Sequence, residues 1–121
     1  MVEEPESLSG GELNAAVTRE VVRIHTASLG RGPRKSFSFY NGNVIVTVLH
    51  EGMSRAERTL VESGDAEGVR TVRKRMQAAM AGDLRESVEE LTGREVVALM
   101  SDSHVDPDVA VEVFILDYPV A

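Results

Sequence analysis

Two groups of polar residues have types and spacings that could do chemistry. The first is the corner Gly30-Arg31-Gly32-Pro33-Arg34-Lys35, where three cations crowd a backbone fixed by two glycines and a proline. Guanidiniums fork onto carboxylate or phosphate oxygens, so Arg31 and Arg34 are candidate contacts to a small anion, on a loop shaped by Gly30, Gly32 and Pro33. The same residues also suit a purely structural corner: glycine stops a helix, cations complement its negative end and proline opens a strand. The stretch lacks the length and the following helix N-terminus of a phosphate-binding loop, so nucleotide binding by backbone amides is not supported.

The second group lies in the run from Ser101 to Asp108, read as a loop between two strands. There His104, Asp106 and Asp108 offer one nitrogen and two carboxylates to a divalent metal, which defines the alternative reading of a metal-dependent enzyme. Asp, Ser and Pro are also what an ordinary turn prefers, and no second histidine stands at helical spacing. Elsewhere, Arg70, Arg73, Lys74 and Arg75 read as the solvated face of a helix. His25 beside an apolar stripe and His50 at a strand end read as partly buried polar side chains. No G-x-S-x-G elbow or other nucleophile frame is present, and the expectation is a protein that is not an enzyme and needs no cofactor.

Composition narrows the classes further. The 121 residues carry a formal charge of −7, which opposes general binding to nucleic-acid phosphates or anionic lipid. Aromatic residues make up 4 % of the chain, too few for a base-stacking platform. There is no Cys, so disulfides, thiolate metal sites and a Cys nucleophile are excluded, and a reducing cytoplasm fits. No signal sequence is visible at the N-terminus and no apolar run is long enough to span a membrane, which predicts a soluble, cytoplasmic protein without direct membrane insertion.

The elements that must position these groups follow from periodicity. Residues 1–10 are acidic and polar and read as a disordered lead-in, with a single domain over 11–118. Leu13, Val17, Val21, Ile24 and Ser28 recur at helical spacing up to Gly30. From Lys35 the period becomes two, and Asn41-Gly42 reads as a hairpin turn pairing Phe39 with Val44 and Phe37 with Val46 on one face, with Ser36 and Ser38 on the other. Ser54-Arg55-Ala56-Glu57 is a capping box for a short helix. Val69, Val72, Met76, Met80, Leu84, Val88 and Leu91 then mark a long helix that Gly93 ends, with Gly82 weakening its middle. Strands over Glu95–Ser101 and Val109–Leu116 complete an α+β domain of order α-β-β-α-α-β-β, a four-stranded, mainly antiparallel sheet with helices packed on one face. The apolar runs in the last two strands predict apolar groups on both sheet faces, hence a two-fold homodimer covering part of the second face, incompletely because of Glu112, Ser36 and Ser38.

Several of these residues also carry a resemblance. Leu29-Gly30-Arg31-Gly32-Pro33, the Asn41-Gly42 hairpin, Met53 to Leu60, Val69 to Arg73, Leu91-Thr92-Gly93-Arg94-Glu95-Val96, Asp106-Pro107-Asp108 and Val113-Phe114-Ile115-Leu116 together resemble the MpsC family of small bacterial proteins. The resemblance runs from about Glu12 to Leu116, departing at Met53-Ser54, where the family is expected to have Leu-Thr. It implies an accessory or regulatory role beside membrane proteins that move sodium or take up inorganic carbon, with a membrane transport protein as partner. It supplies no catalytic residues.

Overall fold

A computed structural model describes residues 8–120. Over these the chain forms α1 (Gly10–Leu29), β1 (Lys35–Asn41), β2 (Val44–His50), α2 (Arg55–Glu62), α3 (Ala66–Thr92), β3 (Val96–His104) and β4 (Val109–Leu116). The strands form one antiparallel sheet of order β1-β2-β4-β3. This is the α+β domain expected from the sequence. Of the expected lead-in, residues 1–7 lie outside the described residues. Leu8 packs against the core and donates its N–H to Leu91 O, and α1 starts at Gly10.

The core lies between the helices and one sheet face. Leu13, Val17, Val21 and Ile24 of α1 meet Ile45 and Leu49 of β2, Phe114 and Leu116 of β4, and Met80, Leu84 and Val88 of α3. The helical stripes were legible because burying one apolar face gives most of the stability of such helices. At one point the stripe of α3 departs from its pattern. Val72 is 46 % exposed, while Arg73 is buried in its stead. The expected solvated face therefore loses Arg73, whose charge is met by a carboxylate from α2.

The hairpin closes one step later than expected. Its loop is Gly42-Asn43, with Asn41 opposite Val44, Phe39 opposite Val46 and Phe37 opposite Val48. Gly42 has φ 61° and Asn43 is not among the positive-φ residues, the pattern of a type II′ turn with glycine at its first central position. A shift of two residues preserves facing, so Phe37, Phe39 and their valine partners still share one side. β3 also runs on to His104, making Asp102, Ser103 and His104 strand residues rather than loop.

The helix-facing side carries the core residues Ile45, Leu49 and Phe114, but on β1 it is the polar side that faces the helices. Phe37 and Phe39 are 43 % and 49 % exposed, whereas Ser38, Thr47, Glu112 and Ser101 form a row across the four strands on the helix-covered side. Thr47 and Glu112 are fully buried. Thr18 of α1 bonds Ser38 Oγ at 2.7 Å, and Ser38 bonds Thr47 Oγ1 at 2.8 Å. His25 Nε2 lies 3.3 Å from Glu112 Oε1, and Ser101 Oγ donates to Glu112 Oε2. The polar row is turned inward because α1 supplies partners for it, and a buried polar group is tolerable only when bonded. Glu112, Ser36 and Ser38 thus do not limit covering of the second face, contrary to expectation, because they are not on it.

Two substitutions probe this architecture. Glu112→Leu leaves the buried His25 and the half-buried Ser101 without their partner and is expected to lower the unfolding free energy in urea by about 3 kcal/mol. Gly82 sits exposed within α3, and a Cβ there would meet nothing within 4 Å. Gly82→Ala is expected to raise the urea midpoint by the equivalent of about 0.5–1 kcal/mol at unchanged slope.

Candidate functional site

The two polar groups singled out in the sequence meet in space. α1 ends at Gly30, whose φ of 77° lets its N–H return to Thr26 O at 2.9 Å. Gly32 then passes so close to α1 that a Cβ would come within 2.9 Å of Thr26 Oγ1, so any larger residue there requires the Thr26 side chain to shift. Arg31 is thereby aimed at the segment between β2 and α2, where its Nη1 donates to Met53 O at 3.2 Å. From the opposite side Asp108 Oδ2 accepts the Met53 N–H at 2.9 Å, and Asp108 O accepts the Glu51 N–H at 2.9 Å. Glu51 itself holds φ 57°, an uncommon conformation for a residue with a side chain. The corner and the β3–β4 loop thus grip the same few backbone groups, and they bury Met53.

Behind this grip lies an ion pair that sequence reasoning missed. Glu57, the third residue of the capping box, accepts the Ser54 N–H at 2.9 Å on Oε1. The same carboxylate takes Arg73 in a forked contact, Nε to Oε2 and Nη2 to Oε1, the latter at 3.2 Å. Both side chains are buried, and Glu57 is the one buried residue of α2. Burial pushes the Glu57 carboxyl upward, but the Arg73 hydrogen bond, the Ser54 amide and the Arg73 charge together hold it below the usual carboxylate range. The signal was present: Arg73 follows Val69 by one turn on the apolar stripe, and the capping box fixes where Glu57 points.

Two spaces adjoin the grip. A cavity of about 10 Å³, room for about one water, is lined by His25, Arg31, Arg73 and Asp108 among apolar neighbours. An open cleft of about 690 Å³ lies between α2 and the β3–β4 loop, with Lys35 and Arg58 facing Glu51, Glu62 and Asp106. Its charges are mixed, unlike the single-sign funnel that gathers ions. Arg34, with its side chain 77 % exposed, stands 3.9 Å from Glu51.

The candidate residues therefore divide. Gly30 stops α1, Gly32 passes close against it, Pro33 lies near Gly52, Arg31 is engaged by the backbone of Met53, and Arg34 is at the surface. His104, Asp106 and Asp108 are not drawn into one ligand set: His104 Nδ1 contacts Pro107 O at 2.9 Å while Asp108 turns to Met53. Among the described residues no group of three His, Cys, Asp or Glu side chains is placed to hold a metal ion.

Glu57→Gln is expected to strand Arg73 and cost about 3 kcal/mol in urea unfolding at pH 7, with much of the loss recovered in Glu57→Gln/Arg73→Met. Because the folded carboxyl titrates below its ordinary value, its contribution is present above about pH 4.3 and is lost as pH falls through the folded value. The difference between wild type and Glu57→Gln should accordingly shrink when the midpoints are measured near pH 3.5.

Comparison with known proteins gives a consistent family. The family described as the Na+-translocating membrane potential-generating system (MpsC) matches residues 9–118. The protein called "Uncharacterized protein YrhF" of Bacillus subtilis (strain 168) is 29 % identical over 97 residues, covering 78 % of this chain and 80 % of that one. No solved structure matches the chain. With nearly every described element inside the matched span, the chain belongs to the MpsC family.

Proposed function

We propose that this chain is a non-catalytic accessory protein of a Na+-translocating membrane system, working from the cytoplasmic side as a homodimer. Family membership supports the association with such a system. No helix among the described residues is long and apolar enough to cross a membrane, so those residues contribute no helical path for an ion.

The observation that carries the accessory role is the open face of the sheet. Phe37, Phe39, Val44, Val46, Val48, Val111, Val113 and Ile115 present a continuous apolar surface that none of the helices covers. An apolar patch of this kind marks a surface used to bind another protein. The polar groups of the candidate site, by contrast, are mostly engaged in holding the Glu51–Ser54 segment. A small-anion contact at the Gly30–Arg34 corner has chiefly Arg34 and Lys35 to draw on.

Deletion of the gene from its bacterium is expected to lower Na+-dependent generation of membrane potential in inverted vesicles. Supplying the wild-type chain is expected to restore it. An unchanged Na+-dependent potential in the deletion strain would overturn the reading.

A further inference from the structure

We infer that the open sheet face is closed by a second copy of the chain, stacked face to face about a two-fold axis that runs along the strands between β2 and β4. The inference rests on the homodimer in the reading above and adds its geometry.

Register places the side chains of this face on a small lattice. Across the sheet the rows run Lys35-His50-Val109-His104, Phe37-Val48-Val111-Asp102, Phe39-Val46-Val113-Met100 and Asn41-Val44-Ile115-Ala98. The middle is apolar throughout, Phe37 stacks between Phe39 and His50 at centroid distances of 6.3 and 6.1 Å, and Met100 is 54 % exposed. The formally charged residues of these rows are Lys35 on the β1 edge and Asp102 on the β3 edge, one row apart. Such a pattern is self-complementary for one orientation of the axis. An axis along the strands lays β1 over the partner's β3, which brings Lys35 beside the partner's Asp102 and Phe39 over the partner's Met100, a favourable sulfur–aromatic contact. Each contact then occurs twice, as two-fold symmetry requires. An axis across the strands lays β1 over β1 and leaves Lys35 and Asp102 on opposite sides of the interface.

The size of the face is adequate but modest. Four strands about 4.8 Å apart and seven residues of about 3.4 Å give a face of roughly 450 Å². Two copies bury about 900 Å² before side-chain relief is added, close to the roughly 1,000 Å² that a specific interface should clear. Stacked sheets with apolar inner faces are a stable arrangement at about 10 Å separation.

Sedimentation velocity up to about 50 micromolar, a range that resolves micromolar dissociation constants, tests the association. The wild type is expected to dimerise, and Phe39→Lys, a change at a surface position, to weaken the dimer by at least about tenfold with its circular dichroism unchanged. Lys35→Glu and Asp102→Lys should each weaken it by about tenfold through two like-charge contacts, and the double reversal should restore it to within about threefold. The chain lacks Cys, so orientation can be read with a short bis-maleimide, which spans the separation of stacked sheets that a direct disulfide does not: a mixture of Phe39→Cys and Met100→Cys chains is expected to cross-link between unlike chains, and neither variant alone to do so. A wild type that stays monomeric overturns the homodimer and this geometry together, while the Na+ role stands or falls on the deletion strain. A dimer indifferent to Phe39→Lys overturns the face. A dimer sensitive to it, without charge-swap rescue and mixed cross-linking, overturns the axis.

Discussion

A fully buried carboxylate sets the arrangement of this domain. Glu112 lies in the middle of β4, a central strand of the sheet, with its side chain fully removed from water. A buried polar group of this kind is tolerated only when other groups hydrogen-bond to it. His25 approaches from α1, Ser101 from β3, and Thr47 stands opposite on β2. A separate set of hydrogen bonds joins Thr18 to Ser38 and Ser38 to Thr47 in the same row. The facing of every strand follows, because period-two alternation means that turning Glu112 toward the helices turns Val111, Val113 and Ile115 away from them. The polar row fixes which face α1 must cover, and the apolar face is left open as a consequence.

A buried ion pair fixes the periphery. α2 is short and buries one residue, Glu57, so little apolar burial attaches it to the domain. Arg73 of α3 supplies the attachment through its fork on that carboxylate. The segment leading into α2 is held in turn by Arg31 and Asp108 on the two polar groups of Met53. One residue from each candidate group, Arg31 and Asp108, is thereby engaged by the same backbone segment. Their convergence ties four parts of the chain together: the end of α1, the β2–α2 segment, α3 and the β3–β4 loop. The cleft beside this junction is walled in part by Arg58, Val61 and Glu62 of α2.

The open face and the junction divide the molecule by role. One is wide and apolar, with opposite charges at its two edges, suited to association. The other is polar and largely self-satisfied, suited to holding shape. Membership of the MpsC family connects the chain with a Na+-translocating system, and no described helix is built to cross a bilayer. A sheet with one uncovered apolar face gives such a chain a way to act through contact with another protein.

Much of the fold was legible in the sequence because its signals are local. The stripe from Leu13 to Ile24, the stop at Gly30, the capping box at Ser54 and the glycine ending at Gly93 each depend on residues within a turn or two. The order of elements and the antiparallel hairpin follow from those same signals, as does the resemblance carried by the motifs around Gly30, Met53 and Asp106. The hairpin register was missed by two residues because Asn41-Gly42 and Gly42-Asn43 are both good turns, and pairing with β4 decides between them. What only the tertiary structure decided was which face of the sheet is inside. Phe37 and Phe39 point outward because Ser38 and Glu112 find partners on α1, Thr18 and His25, far away in sequence, and Thr47 bonds to Ser38. Likewise Arg73 is buried and Val72 exposed because Glu57 waits on another helix. A sequence shows the polarity of each residue, but the cost of burying a polar group depends on its bonding partners, and those are known only once distant segments have been brought together.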